Sequence, residues 1–162
     1  GYNPSFFSYP FGEYNLEQKN YISNNFEFAF GQHSGVIDLN KDRYELPRFP
    51  INEKYGEIKR FKEVISYLPL QYKIIKPENK FMNDGENPPK MTIEFFEDQK
   101  NLENINCFSN EGSKWRKTKI ILNDNILNIN FSEKFIERRG RINCSLKDEN
   151  GWRFSGFQFV QN

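Results

Sequence analysis

The sequence predicts an α+β protein in which the closing portion of an α/β fold precedes an all-β, sandwich-like domain. In the first part, strand-like and helix-like patterns alternate along the chain. After Pro69, about seven short strand-like runs are separated by turns rich in Asn, Asp and Gly, which is typical of a β-sandwich. We therefore divide the chain into an N-terminal part, residues 1–69, and a β part, residues 70–162.

The N-terminal part contains five predicted elements. Residues 5–9 and 26–30 are predicted strands, and Asn15 is placed to cap a helix over residues 16–24. A third strand is predicted over residues 44–49, with an incomplete ladder because of its internal proline. Apolar residues at helical spacing predict a second helix over residues 55–68, which Pro69 ends.

The β part is predicted from runs of apolar and aromatic residues, which favour pleated, half-buried surfaces. The chain has 17 Phe and 8 Tyr among its 162 residues. The predicted strands are residues 71–75, 91–96, 105–108, 118–122, 126–131, 141–146 and 152–160. Asp124 and its two neighbours form a hairpin signal, since Asn and Asp tolerate a positive φ.

Charge and hydropathy argue against two classes of partner. The 23 basic and 22 acidic side chains leave a net charge of +1, so the basic footprint of a nucleic-acid-binding protein is missing. No apolar run approaches the roughly 18 residues that span a bilayer. We expect neither a nucleic acid partner nor a membrane span.

Cys107 and Cys144 both lie in strand-like contexts. A disulfide between two strands would indicate an oxidising compartment. Two buried free thiols are the alternative, and the sequence leaves both open. With one His elsewhere, the chain has too few soft ligands for a structural zinc site.

Three stretches carry a family resemblance: Phe-Ser-Tyr-Pro-Phe-Gly-Glu-Tyr at 7–14, Phe-Ala-Phe-Gly-Gln-His-Ser-Gly at 28–35, and Leu-Pro-Arg-Phe-Pro-Ile-Asn-Glu at 46–53. In this order they resemble polysaccharide deacetylases, the NodB-homology enzymes of carbohydrate esterase family four. The resemblance implies that the N-terminal part is the C-terminal strands and helices of a distorted (β/α) barrel, with the β part as an accessory domain. It also implies a secreted, periplasmic or cell-envelope protein.

The resembled family hydrolyses the N-acetyl groups of sugar polymers with a divalent, zinc-like cation held by an Asp and two His. The motifs that hold this cation, Thr-Phe-Asp-Asp and His-Ser-x-x-His, lie upstream in the family and are absent from this sequence. The resemblance therefore implies a metal-dependent parent enzyme acting on an N-acetylated polysaccharide. This chain alone is expected to be inactive and to hold no cofactor.

Carried over residue by residue, the resemblance assigns the oxyanion donor to the backbone N–H of Phe11. Tyr9, Pro10 and Gly12 complete this motif and are candidate substrate-binding residues. A backbone donor suits the role because its position is set before the reaction begins.

Two further candidate substrate-binding residues follow from the other motifs. The family's usual Arg before the proline is replaced by Ser8, and Arg48 is a candidate replacement; its alternative is a pair with a carboxylate. His33 is the single His, and we expect it to line the sugar groove rather than to act as a catalytic acid.

Three alternatives remain open at this level. The chain could be a non-catalytic carbohydrate-binding or surface-interaction module, with an aromatic platform drawn from Trp115, Trp152, Phe154, Phe157 and Phe159, although alternation places at least one set of these rings in the core. A basic turn at residues 138–141 is either solvated or contacts an anionic glycan. Unpaired strand edges could also form a homo-oligomer.

Overall fold

The computed structural model describes residues 3–83 and 85–161; residues 1, 2, 84 and 162, which the predicted parts include, lie outside this range. The N-terminal part contains β1 (Phe6–Ser8), α1 (Leu16–Ser23), β2 (Phe28–Phe30), α2 (Ile58–Val64) and β3 (Leu68–Pro69). The β part contains β4 (Tyr72–Lys76), β5 (Phe81–Met82), β6 (Met91–Phe95), β7 (Asn106–Ser109), β8 (Arg116–Lys117), β9 (Lys119–Asn123), β10 (Ile126–Asn130), β11 (Arg139–Asp148) and β12 (Gly151–Gln161).

A small parallel sheet forms the centre of the N-terminal part. β1 pairs with β2 in parallel, with Phe6 opposite Phe28 and Ser8 opposite Phe30. The third strand predicted there reduces to a single parallel bridge between Phe30 and Leu46. Pro47 explains the reduction, because it has no N–H to continue the ladder. The sheets of the described residues are open, and a closed barrel is not shown.

The first predicted helix is confirmed, and the second is shorter than predicted. Asn15 caps α1 through a reciprocal pair of hydrogen bonds with Gln18. α2 covers only the middle of the predicted range, because residues 52–55 form a turn and Leu68 pairs instead with Arg153 of β12. Neither helix is long and apolar enough to cross a membrane, in the chain as described.

Two larger sheets make up the β part, and each of its seven predicted strands is confirmed. β4, β6, β10 and β9 form an antiparallel sheet, in that order. β12, β11, β7 and β8 form the second sheet, in which β3 and β5 pair in parallel with β12. The β9–β10 hairpin turns at Asp124, whose φ is 53°, as its sequence predicts. The two-residue strands β3, β5 and β8 were missed, since they are too short to show periodicity.

Both sheets contribute to one hydrophobic core. Ile93 and Leu127 come from the four-stranded sheet, and Ile142, Phe157 and Phe159 come from the second sheet. This confirms that the Phe157 and Phe159 rings belong to the core rather than to an exposed platform.

Of the two alternatives that the sequence left open, the disulfide between Cys107 and Cys144 is present, and the free-thiol alternative is wrong. It joins β7 to β11 at directly opposed positions, where both cysteines are fully buried.

The outer face of β12, and the part of its edge between β3 and β5, hold the N-terminal part against the second sheet. Gly35 bridges Ser155, and the Gln158 side-chain amide donates to the Gly12 carbonyl at 3.1 Å. Gly156 permits this approach, because a Cβ there would lie 2.4 Å from the Ser34 carbonyl oxygen.

The basic stretch at 138–141 is not a turn, contrary to the prediction. Arg139 opens β11, and its Nε donates to Glu13 at 2.8 Å, while Arg138 donates to the other carboxylate oxygen at 3.0 Å. Burial alone would raise the Glu13 pKa, but the hydrogen bonds and charges of these two arginines outweigh it and lower the pKa. The Pro10–Gly12 turn is thereby tied to β11.

We expect Glu13→Gln to lower the free energy of unfolding by about 1 kcal/mol at pH 7, through the loss of charged hydrogen bonds. Because the folded state lowers the Glu13 pKa, this stabilisation is present above the unfolded pKa near 4.5 and is lost as the pH falls below it. Urea unfolding of both proteins at pH 7 and pH 3 measures it. A difference that persists undiminished at pH 3 would contradict the ion-pair explanation.

Candidate functional site

A cleft of about 680 Å³ lies between the loops of the N-terminal part and the outer face of the second sheet. The N-terminal part lines it with His33, Arg48, Tyr55 and Arg60, among others. The second sheet lines it with Arg141 and Asn143, and Trp115 comes from the loop before β8. Arg141 and Asn143 reach it because they alternate along β11 with the core residues Ile142 and Cys144.

The three stretches that carry the resemblance are in contact beside this cleft. The first and second touch at Gly12, where a Cβ would lie only 2.4 Å from the Gln32 backbone nitrogen. The second and third are joined by the Arg48 N–H, which donates to the His33 carbonyl at 3.0 Å. His33 and Arg48, both predicted from the sequence, therefore meet at one site.

Phe11 lies in the turn next to the cleft, not in its lining. Its φ of 58° is in the left-handed region, which is uncommon for a residue with a side chain. The ring is 63% exposed, with the Arg139 guanidinium carbon 5.0 Å from its centre. Within residues 3–83 and 85–161 the Phe11 N–H has no hydrogen-bond acceptor, so it is available to one.

The rest of that motif is also outside the cleft lining. Tyr9 is buried, with its ring stacked on Tyr14 at a centroid distance of 4.4 Å and its hydroxyl unpaired among the described residues. Gly12 is buried and Pro10 is exposed. Tyr9 therefore packs beneath the turn, and its buried ring has no exposed face that a substrate could contact.

His33 is held in the neutral form. Burial lowers its pKa from 6.5 to about 4; the Glu45 carboxylate opposes this shift, and the Lys80 and Lys41 charges reinforce it. A neutral imidazole carries one donor and one acceptor nitrogen, and because one of them is hydrogen-bonded to the Glu45 backbone, the other is left for a sugar hydroxyl or amide.

The arginines of the cleft have no carboxylate partner among the described residues. The predicted alternative that Arg48 pairs with a carboxylate is thus not realised there. Arg60 donates from Nη1 to the carbonyls of Pro50 and Tyr55, at 2.9 and 3.1 Å. Arg141 has a buried Nε without a hydrogen-bond partner.

A second cleft of about 480 Å³ surrounds Lys41. The Lys41 ammonium donates to the Ser155 hydroxyl at 3.1 Å and lies 3.9 Å from the centre of the Tyr72 ring. Burial lowers the Lys41 pKa to about 8, against the opposing charges of Asp38 and Glu45. Sequence reasoning found none of these residues, because they come from distant segments with no shared motif.

Sequence reasoning also missed Tyr55, Arg60 and Asn143 in the first cleft, where no local signal could have found them. Trp115 and Arg141 were considered, but in an aromatic platform and a basic turn. Trp152, by contrast, is exposed away from the cleft, and Phe154 stacks on Tyr67.

Residues 3–83 and 85–161 contain no group of three or more His, Cys, Asp or Glu placed to hold a metal ion. The described residues therefore do not supply the Asp and two His that hold the cation in the family that the chain resembles.

No family model, no curated protein and no solved structure matches this chain. The fold and the site define an α+β chain with a cationic, aromatic-lined cleft between its two parts.

Proposed function

We propose that this chain is the C-terminal part of a polysaccharide N-deacetylase and that its cleft binds the N-acetylated glycan. One observation carries the proposal: the three stretches that resemble this family, which short segments separate in the sequence, touch one another beside a cleft that contains His33 and Arg48.

The cleft has the chemistry of a sugar site. Trp115 and Tyr55 offer ring faces on which sugar C–H groups stack, and both are partly exposed. Asn143 offers hydrogen-bond donors and an acceptor to hydroxyl and N-acetyl groups, and the His33 imidazole offers the nitrogen that is not hydrogen-bonded to the Glu45 backbone. Concave sites with a few polar groups among aromatic rings are typical of small-molecule binding.

The parent's reaction is hydrolysis of the N-acetyl amide, which places negative charge on the amide oxygen in the transition state. In this chain the Phe11 N–H is the candidate donor to that oxygen. The described residues do not supply the metal-ligand set. The purified chain is expected to bind glycan without releasing acetate.

The disulfide supports an extracellular, periplasmic or envelope location, because such bonds persist in oxidising compartments.

A non-catalytic carbohydrate-binding module is the second candidate, favoured by the contribution of Trp115, Arg141 and Asn143 from the β part. His33→Gln in the full chain separates the two candidates. The deacetylase proposal expects weaker binding of an N-acetylated oligomer, since a motif residue contacts the sugar. Unchanged binding would favour the module.

We expect an N-acetylglucosamine tetramer to quench tryptophan fluorescence and Trp115→Ala to weaken its binding about tenfold, by loss of ring stacking. Trp152→Ala is the matched control, because Trp152 is similarly exposed, at 48% against 53%, but lies outside the cleft. Calorimetry measures the affinity of both variants without relying on their fluorescence. Equal losses in the two variants would contradict binding in this cleft. Acetate release by the purified chain would contradict the proposal that this chain binds the glycan but lacks the catalytic metal ligands.

A further inference from the structure

The cleft is cationic. Arg48, Arg60 and Arg141 line it, and no Asp or Glu is among its lining residues in the described chain. This local excess contrasts with the chain's net charge of +1.

The other arginines show that carboxylates are available elsewhere in this fold. In the described residues, four arginines outside the cleft form ion pairs: Arg116 with Glu133, Arg138 and Arg139 with Glu13, and Arg153 with Asp148. The cleft arginines are thus without the partner that most of the others have. Arg43 is the exception outside the cleft, exposed and 5.8 Å from the Phe28 ring centre.

Among the cleft arginines, Arg141 shows the lack of a partner most clearly. Its backbone N–H is held by the Asn110 side chain at 2.6 Å, and it extends from the outer face of β11, where its buried Nε has no partner within the described residues. Because that nitrogen is out of contact with solvent, a carboxylate in the cleft would be bound by the part of the Arg141 guanidinium that lines the cleft. Arg60 is oriented by hydrogen bonds to two backbone carbonyls.

From these observations we propose that the cleft selects a sugar residue bearing a carboxylate, a uronate, next to the N-acetylated sugar. This rests on the proposed function and names its substrate class. A carboxylate matches the arginine fork, which can donate two parallel hydrogen bonds to it, and Arg48 and Arg141 are the residues free to do so. Trp115, in the same cleft, offers a face for the adjoining sugar ring.

The test compares tetrasaccharides by calorimetry on the full chain. The first alternates N-acetylglucosamine with glucuronate, and the second is the same molecule with its carboxylates reduced to alcohols. We expect the charged form to bind about tenfold or more tightly, by charged hydrogen bonds, and the preference to shrink as salt is raised.

Variants then locate the preference. Arg48→Gln and Arg141→Gln should each remove most of it, while Arg43→Gln, the matched control, should leave it intact. Arg141→Lys should restore part of it, because it keeps the charge but not the fork. Urea unfolding of each variant confirms that the fold is retained, and Arg48 is exposed, so its replacement keeps the test open if Arg141→Gln unfolds.

The outcomes separate this inference from the proposed function. If the charged and reduced forms bind equally and both quench the tryptophan fluorescence, the inference is overturned and the glycan-binding proposal is retained. A tetramer of uronate alone that binds as well as the alternating one, with the same arginine dependence, supports the anion site and counts against recognition of the N-acetyl group. Loss of the preference in Arg43→Gln as well would overturn the inference.

Discussion

Replacing both cysteines, Cys107→Ala with Cys144→Ala, is expected to lower the free energy of unfolding by roughly 4 kcal/mol. The bond closes a loop with a sequence separation of 37 residues, and the chain-entropy model assigns a loop of this size about that stabilisation. The loss should be large relative to the total, since small domains are stable by only about 5–15 kcal/mol. Urea unfolding at neutral pH measures it.

The control uses the wild-type chain in reductant. Reduced wild type should match the double variant within about 1 kcal/mol, and the double variant should not respond to reductant. Thiol titration of the unfolded, unreduced wild type should find no free thiol. Two free thiols, or a stability equal to that of the variant, would contradict a structural disulfide.

The free energy of unfolding is expected to fall by about 3 kcal/mol as the pH decreases from 6.5 to 4, through the titration of His33. The folded pKa is lowered from 6.5 to about 4 by burial, so between these values the unfolded chain binds a proton that the folded chain does not. The loss begins near the unfolded pKa and is complete below the folded one.

His33→Gln isolates this effect, because carboxylates that titrate in the same range are common to both proteins. The variant should show a flatter dependence of stability on pH between 4 and 6.5, whatever its stability at pH 7. The chain has one His, so its imidazole proton resonances can be followed singly by NMR. A native-state titration near pH 6.5 would contradict the burial.

Much of the secondary structure was predictable because its signals are local. Asn15 and Gln18 are three residues apart, so the cap of α1 can be read from the sequence. The same holds for the Asp124 hairpin and for β11, where alternation separates Ile142 and Cys144 from Arg141. Such patterns can be recognised because they reflect the backbone geometry of a few neighbouring residues.

The predictions of secondary structure were wrong where a residue pairs with a segment that is distant in the sequence. Residues up to 68 have a helical pattern, yet Leu68 and Pro69 pair with β12. The basic stretch around Arg139 looks like a solvated turn, but Glu13 pairs with it from far along the chain. Backbone and charge partners of this kind have no signature within either segment.

The sequence by itself determined the strands of the β part and the capped first helix. It also identified Cys107 and Cys144 as a candidate disulfide pair, and His33 and Arg48 as candidate substrate-binding residues. Only the tertiary structure decided that these two face Trp115 and Arg141 across one cleft, and that its arginines lack carboxylate partners. The reason is physical: periodicity and capping act over a few residues, whereas a cleft is formed by packing β12 against the N-terminal part, where Gly156 lets two backbones approach.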